Sequence, residues 1–218
     1  IFDLGTSQFQ LKDFNRGFSF NSTKKIDMQM GLNKYNAHYI INKYLEKDLK
    51  NIIKLFGDEK FASKIAKNII RYREKKEIFS AKELSDIINA IKFKKGKTNP
   101  STKTFQAIRM IVNEELSEIF YALKFIIENC KINATIIIIT FHSLEDLLVK
   151  RIINFYGKKI SVSRYLPNET GSVDMPVKIL TNKPIIPTKT EITNNSSSRS
   201  AKLRVVQKIM NPNISLNR

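Results

Sequence analysis

The chain has 218 residues, 42% of them hydrophobic, with 38 Lys and Arg against 20 Asp and Glu and a formal charge of +18. That much apolar content can bury a core and excludes a disordered basic tail. The lone Cys130 excludes an intramolecular disulfide and suits a reducing compartment, and no apolar run is long enough for a membrane helix. The charge is unevenly spread: residues 43–97 carry a net +8 and residues 150–218 a net +10, whereas residues 98–149 carry −2. Two basic regions around a near-neutral one point to a polyanion, most simply nucleic acid, against the plainer reading of solvated surface lysines.

In chain order, Ile1–Leu4 reads as a buried strand ending at Gly5, followed by a polar loop dotted with aromatics. A start inside a strand without Met is the expectation for a fragment that lacks an N-terminal segment. Residues 35–91 are helical in pattern. Gly57-Asp58 marks a stop and a new cap; Phe61, Ile65, Ile69 and Tyr72 then form one apolar stripe. Ser80 and Glu83 have capping-box spacing, and Lys92–Pro100 is a basic loop. Phe105, Ile108, Val112, Leu116, Ile119, Leu123, Ile126 and Cys130 predict one long helix of about seven turns, with Cys130 a core thiol. Ala134–Thr140 predicts a strand buried on both faces, of the parallel-sheet kind. A helix over 143–155 and two late strands near 177–181 and 201–208 complete an α/β order, into which the strandless stretch 35–91 is inserted.

Several groups could carry chemistry. Asp3 ends the first strand at the edge where open α/β sheets bind ligands, and its carboxylate could accept a hydrogen bond from an amine or hydroxyl; a turn-bonded Asp before Gly is the alternative. His142 leaves the buried strand at the same edge, with Ser143 and Asp146 spaced as a capping box. Adjacent His142 and Ser143 do not form a hydrolase pair, and two distant histidines do not suggest a metal site. Arg16, Phe18 and Phe20 could contact RNA by phosphate pairing and base stacking, or the rings could anchor the loop. Lys94, Lys95 and Lys97 in the basic loop are candidate phosphate contacts. In Arg199–Arg204 a strand with Ala201, Leu203 and Val205 inward leaves Lys202 and Arg204 as edge-protecting charges or phosphate contacts.

Read together, these segments resemble a known family. Asp3-Leu4-Gly5-Thr6-Ser7 with Gln10-Leu11, then Arg16–Phe20, Asp27–Met30, Gly57–Ala62, Phe105–Arg109, Val112–Leu116, Phe141–Asp146 and Arg199–Arg204 are similar, in family order, to the bacterial 16S rRNA (cytosine-N4)-methyltransferases of the RsmH or MraW type. Phe9, Lys12 and Asn99 depart from the family pattern. The resemblance implies a Rossmann-like, S-adenosylmethionine-dependent methyltransferase core, N-terminally incomplete, with an inserted all-helical domain. It places the core at 1–14 and 105–218 and a substrate-recognition domain at 15–104. It further implies Asp3 and Gln10 as cofactor contacts and a 16S rRNA or small-subunit substrate in the cytoplasm; His142, from its place at the same sheet edge, is a further candidate cofactor contact. Neither a membrane nor a metal is implied, and a homodimer is compatible with it. Methyl transfer to a cytosine amine requires acceptors for its N–H groups, for which Asp3 and Ser7 are the candidates. The rival expectation is a non-catalytic RNA-binding or ribosome-assembly module.

Overall fold

A computed structural model describes residues 1–5, 16–91, 99–157 and 175–212. Strand β1 (Phe2–Asp3) is followed by helices α1 (Ala37–Lys43), α2 (Glu46–Gly57), α3 (Ala62–Arg73), α4 (Ala81–Asn89) and α5 (Thr102–Val112). Then come α6 (Glu115–Asn129), β2 (Thr135–Thr140), α7 (Ser143–Gly157), β3 (Val177–Ile179), α8 (Lys189–Asn194) and β4 (Lys202–Lys208). The chain divides into two units, residues 1–5 with 116–218 and residues 6–115. Among the described residues no helix is long and apolar enough to cross a membrane.

The first unit is mixed α/β. Its sheet has the order β1-β2-β4-β3, with β1 parallel to β2 and the other pairs antiparallel. Phe2 lies opposite Ile138, and Thr135 to Thr140 run against Gln207 to Lys202. Strand β2 alternates rather than being buried on both faces: Ile136, Ile138 and Thr140 are buried, whereas Ile137 and Ile139 are only partly covered. Those buried isoleucines meet Ile119, Leu123 and Ile127 of α6, Val149, Ile152 and Ile153 of α7, and Val206 in one core. Each such side chain contributes roughly 1.5–3 kcal/mol of transfer free energy.

Strand β4 corrects a sequence expectation. Arg204, Val206 and Lys208 face the buried side, not Ala201, Leu203 and Val205. The reason is electrostatic. Arg204 reaches Asp146 on α7, and Lys208, fully buried, donates from Nζ to the carbonyls of Glu128 (2.9 Å) and Cys130 (2.8 Å) at the end of α6. A cation there satisfies carbonyls that the ending helix leaves without an intrahelical donor. Strand β4 also lies between β2 and β3, so its charges protect no edge.

The second unit is helical, with a core of Ile40, Ile41, Leu49, Ile53, Ile65, Ile69, Leu84, Ile88, Phe105 and Ile108 joined by Phe18, Ile26 and Met28 from the segment before α1. Ser80 caps α4 as its spacing predicts: its Oγ accepts from the Glu83 N–H (3.2 Å), and Glu83 accepts from the Ser80 N–H (3.1 Å). At Gly57-Asp58 the stop is real, with Asp58 left-handed at φ 47°, but no side chain there caps α3.

The expected single helix over 105–130 is two helices. Glu114 has φ 49°, a left-handed turn that ends one helix before the next begins. Asn113, beside it, is buried; its amide donates to the carbonyls of Met28 (2.8 Å) and Arg109 (2.9 Å), and its Oδ1 accepts from the Met30 N–H and the Asn33 amide (both 2.8 Å). The apolar period continues across the break because both pieces are amphipathic, yet they serve different cores. Phe105, Ala107, Ile108 and Val112 pack in the helical unit, and Ile119, Leu123 and Ile127 under the sheet. The division between the units therefore falls after Glu115 rather than at residue 104.

Candidate active site

Strands β1 and β2 are parallel, so their carboxyl ends open on one edge of the sheet. Asp3 is the last residue of β1; beyond it the Leu4 N–H donates to Ile139 O (3.0 Å), and Gly5 turns the chain at φ 97°, a conformation a side chain would strain. The Asp3 carboxylate is exposed and, among the described residues, takes part in no hydrogen bond or ion pair. An acceptor left open at this edge matches a ligand that presents amine or hydroxyl groups. Its Asx-turn alternative is not what the geometry displays.

Where β2 ends, Thr140-Phe141-His142 lead into α7 through a capping box one residue earlier than its spacing suggests. Glu145, fully buried, accepts from the N–H groups of Phe141 (2.8 Å) and His142 (3.2 Å), and its own N–H donates to His142 Nδ1 (3.3 Å). The other ring nitrogen, Nε2, lies 3.0 Å from Glu145 Oε1. Burial pushes the Glu145 carboxyl up, but His142 and the two backbone N–H groups outweigh it and hold the carboxyl below its ordinary value. His142 thus precedes α7 as part of the turn, with Nδ1 taking the Glu145 N–H.

Asp146 is drawn away from capping altogether. Its two oxygens take a bidentate contact from Arg204 (2.7 and 3.1 Å), and Lys202 Nζ lies 3.2 Å from Oδ2. Burial raises this carboxyl, and Arg204 with Lys202 more than reverses that, so it stays ionised below the usual range. Arg204, 7% exposed, is consequently not a phosphate contact. Lys202 keeps 38% of its side chain in solvent but shares the same carboxylate.

The remaining expectations lie elsewhere. Phe18 is 6% exposed in the helical core, too deep to stack on a base, and partly buried Phe20 packs edge-to-face on Phe105 with centroids 4.7 Å apart. Gly17, at φ 71°, lets that segment fold inward, since a Cβ would come within 2.8 Å of the Ile26 backbone. Arg16 is exposed, and its carbonyl accepts from the Met28 N–H. Ser7 and Gln10, and Lys94, Lys95 and Lys97, lie outside the described residues. Asn113 and Lys208 are structural centres that the sequence does not single out; for Lys208 the one sequence signal is that Arg204 and Lys208 stand two residues either side of Val206, on its face of β4.

Comparison with known proteins identifies the family. The model of the MraW methylase family matches residues 1–209. The chain belongs to that family. A protein from Caldicellulosiruptor saccharolyticus is 45% identical over 211 residues, covering 96% of this chain and 69% of its own. One from a Sulfurihydrogenibium species is 46% identical over 213 residues (96% and 67%), and one from Orientia tsutsugamushi 42% over 216 (96% and 69%). All three relatives bear the name ribosomal RNA small subunit methyltransferase H.

Proposed function

We propose that this chain is an rRNA methyltransferase that uses S-adenosylmethionine to methylate the exocyclic N4 amine of a cytidine in the decoding region of small-subunit rRNA. Membership of the family and the names its relatives bear support the class of reaction and substrate. The observation that carries the site is the open Asp3 carboxylate at the carboxyl edge of the parallel pair. In this reading the α/β unit is the methyltransferase core, and the helical unit is a substrate-recognition domain inserted after the Asp3-Leu4-Gly5 strand. The work takes place in the cytoplasm, where the small subunit is assembled.

When bound, S-adenosylmethionine supplies an activated methyl group on a sulfonium. Asp3 and Gln10 would hold it through its amine and hydroxyl groups, which suits a carboxylate and an amide. The cytosine amine is a poor nucleophile because its lone pair is shared with the ring. A residue that accepts its N–H bonds raises its electron density as charge develops, and Asp3 or Ser7 would do this. The rigid capping box at Phe141–Glu145 would keep the neighbouring wall of the edge in place.

Calorimetric titration with S-adenosylmethionine tests the cofactor role. The wild-type chain is expected to bind and Asp3→Asn to bind at least tenfold more weakly; equal affinities would remove Asp3 from the site. Nucleoside mass spectrometry of small subunits incubated with protein and cofactor is expected to show N4-methylcytidine. Its absence, with rRNA binding intact, would favour a non-catalytic assembly module.

A further inference from the structure

Helix α3 is strongly two-faced. Ala62, Ile65, Ala66 and Ile69 are buried in the helical core. On the opposite side Lys60, just before the helix, and Lys64, Lys67 and Arg71 within it are all exposed. Their 4-3-4 spacing stacks them along one face, about 5–6 Å from one to the next and about 10 Å from Lys64 to Arg71.

No acidic neighbour at helix spacing answers most of these charges. No Asp or Glu stands three or four residues from Lys60, Lys64 or Lys67, and only Glu74 stands so from Arg71. Among the described residues, none of the four takes part in an ion pair or side-chain hydrogen bond. Three other exposed lysines of the same unit are paired: Lys76 with Glu83 at 2.7 Å, Lys82 with Asp86 at 2.9 Å and Lys103 with Asp58 at 3.3 Å. A composition rich in lysine would scatter charges and pair some of them, as it does there. On α3 it instead sets three like-charged neighbours at helix spacing, an arrangement that by itself destabilises the helix.

We infer that the outer face of α3, Lys60, Lys64, Lys67 and Arg71, is a binding track for the phosphate backbone of RNA. Cations one helical turn apart meet successive phosphates along a strand, and releasing the counterions of those phosphates is the driving force. The choice of RNA among polyanions rests on the rRNA reading above. Arg71 adds a planar fork that engages one phosphate through two donors.

The test is fluorescence anisotropy of a labelled 20-nucleotide oligouridine titrated with the full chain over a range of salt. Lys64→Ala/Lys67→Ala/Arg71→Ala is compared with Lys76→Ala/Lys82→Ala/Lys103→Ala, which removes the same charge from paired lysines. Loss of three contacts is expected to flatten the slope of log affinity against log salt by about 2 and to weaken binding at least tenfold at low salt. The control triple should keep the wild-type slope. Circular dichroism confirms folding, and the corresponding Gln triple replaces any variant that fails it. Equal slopes in the two triples overturn the track while leaving the rRNA reading in place. A wild-type chain that binds no oligonucleotide overturns that reading itself, and the track with it.

Discussion

Removing the carboxylate of Asp146 is the sharpest test of how the α/β unit is held together. Asp146 and Arg204 are 9% and 7% exposed, and join α7 to β4 through contacts of 2.7 and 3.1 Å. Asp146→Ala leaves the guanidinium buried without its counter-charge, which costs about 3–5 kcal/mol. The Lys202 arm adds little, because a side chain 38% exposed is screened by solvent and such pairs contribute about 0–1 kcal/mol. Urea unfolding followed by far-ultraviolet circular dichroism reads the difference: with a slope of about 1–3 kcal/mol/M, the midpoint of the α/β unit should drop by at least about 1 M. Lys202→Ala should barely move it, and Asp146→Leu with Arg204→Met should recover most of the loss, since an apolar pair of similar size leaves no buried charge. The pH dependence follows from the depressed carboxyl. Its contribution is fully present above the unfolded carboxylate value of about 3.9 and is lost as pH falls through the lower folded value. The gap between wild type and Asp146→Asn should therefore hold steady from pH 7 down to about 5 and begin to narrow only as pH falls below about 4. A loss below about 1 kcal/mol for Asp146→Ala, or equal losses for Lys202→Ala, would refute a buried-pair account.

Three further substitutions probe other joints. Asn113→Ala withdraws four hydrogen bonds, three of which tie Met28, Met30 and Asn33 to the end of α5, and should destabilise the helical unit by about 2–4 kcal/mol, with limited proteolysis opening the chain near residues 28–33. Gly57→Ala separates two effects of opposite sign: helix propensity favours Ala by about 1 kcal/mol, but its Cβ would sit 2.5 Å from the Lys103 carbonyl, so a net loss of about 1–3 kcal/mol is expected and a gain in melting temperature would refute the close α2–α5 packing. Lys208→Met strips the ammonium from the Glu128 and Cys130 carbonyls and should cost about 1–3 kcal/mol; hydrogen exchange should rise first in the last turn of α6.

Much of the local structure was legible in the residues. Period-3.6 stripes placed the helices of 35–91, the Ser80–Glu83 spacing placed a cap, and the isoleucine run placed β2 at the centre of an α/β order. Ordered motifs named the family before any geometry was known. Site residues were less readable, because the same side chain serves a ligand or a neighbour according to what packs against it. Phe18 looked like a stacking ring and is a core anchor; Arg204 looked like a phosphate contact and is half of a buried pair. Ser143 and Asp146 have the capping-box spacing, yet Arg204 holds Asp146, and it is His142 with Glu145 that closes the box.

The sequence by itself determined the secondary structure, the two-signed charge distribution and the family, since these depend on periodicity, composition and motif order along the chain. Tertiary structure alone decided where the run 105–130 breaks, which face of β4 turns inward and which cations the described residues pair. The physical reason is common to all three. An apolar stripe states that a face will be buried but not against which core, and a charge states that it needs a counter-charge but not whether the chain itself supplies one. Asn113 in the loop carbonyls, Arg204 on Asp146 and the unanswered stripe of α3 are outcomes of contacts between residues far apart in sequence or of their absence, and only the folded chain brings those partners together.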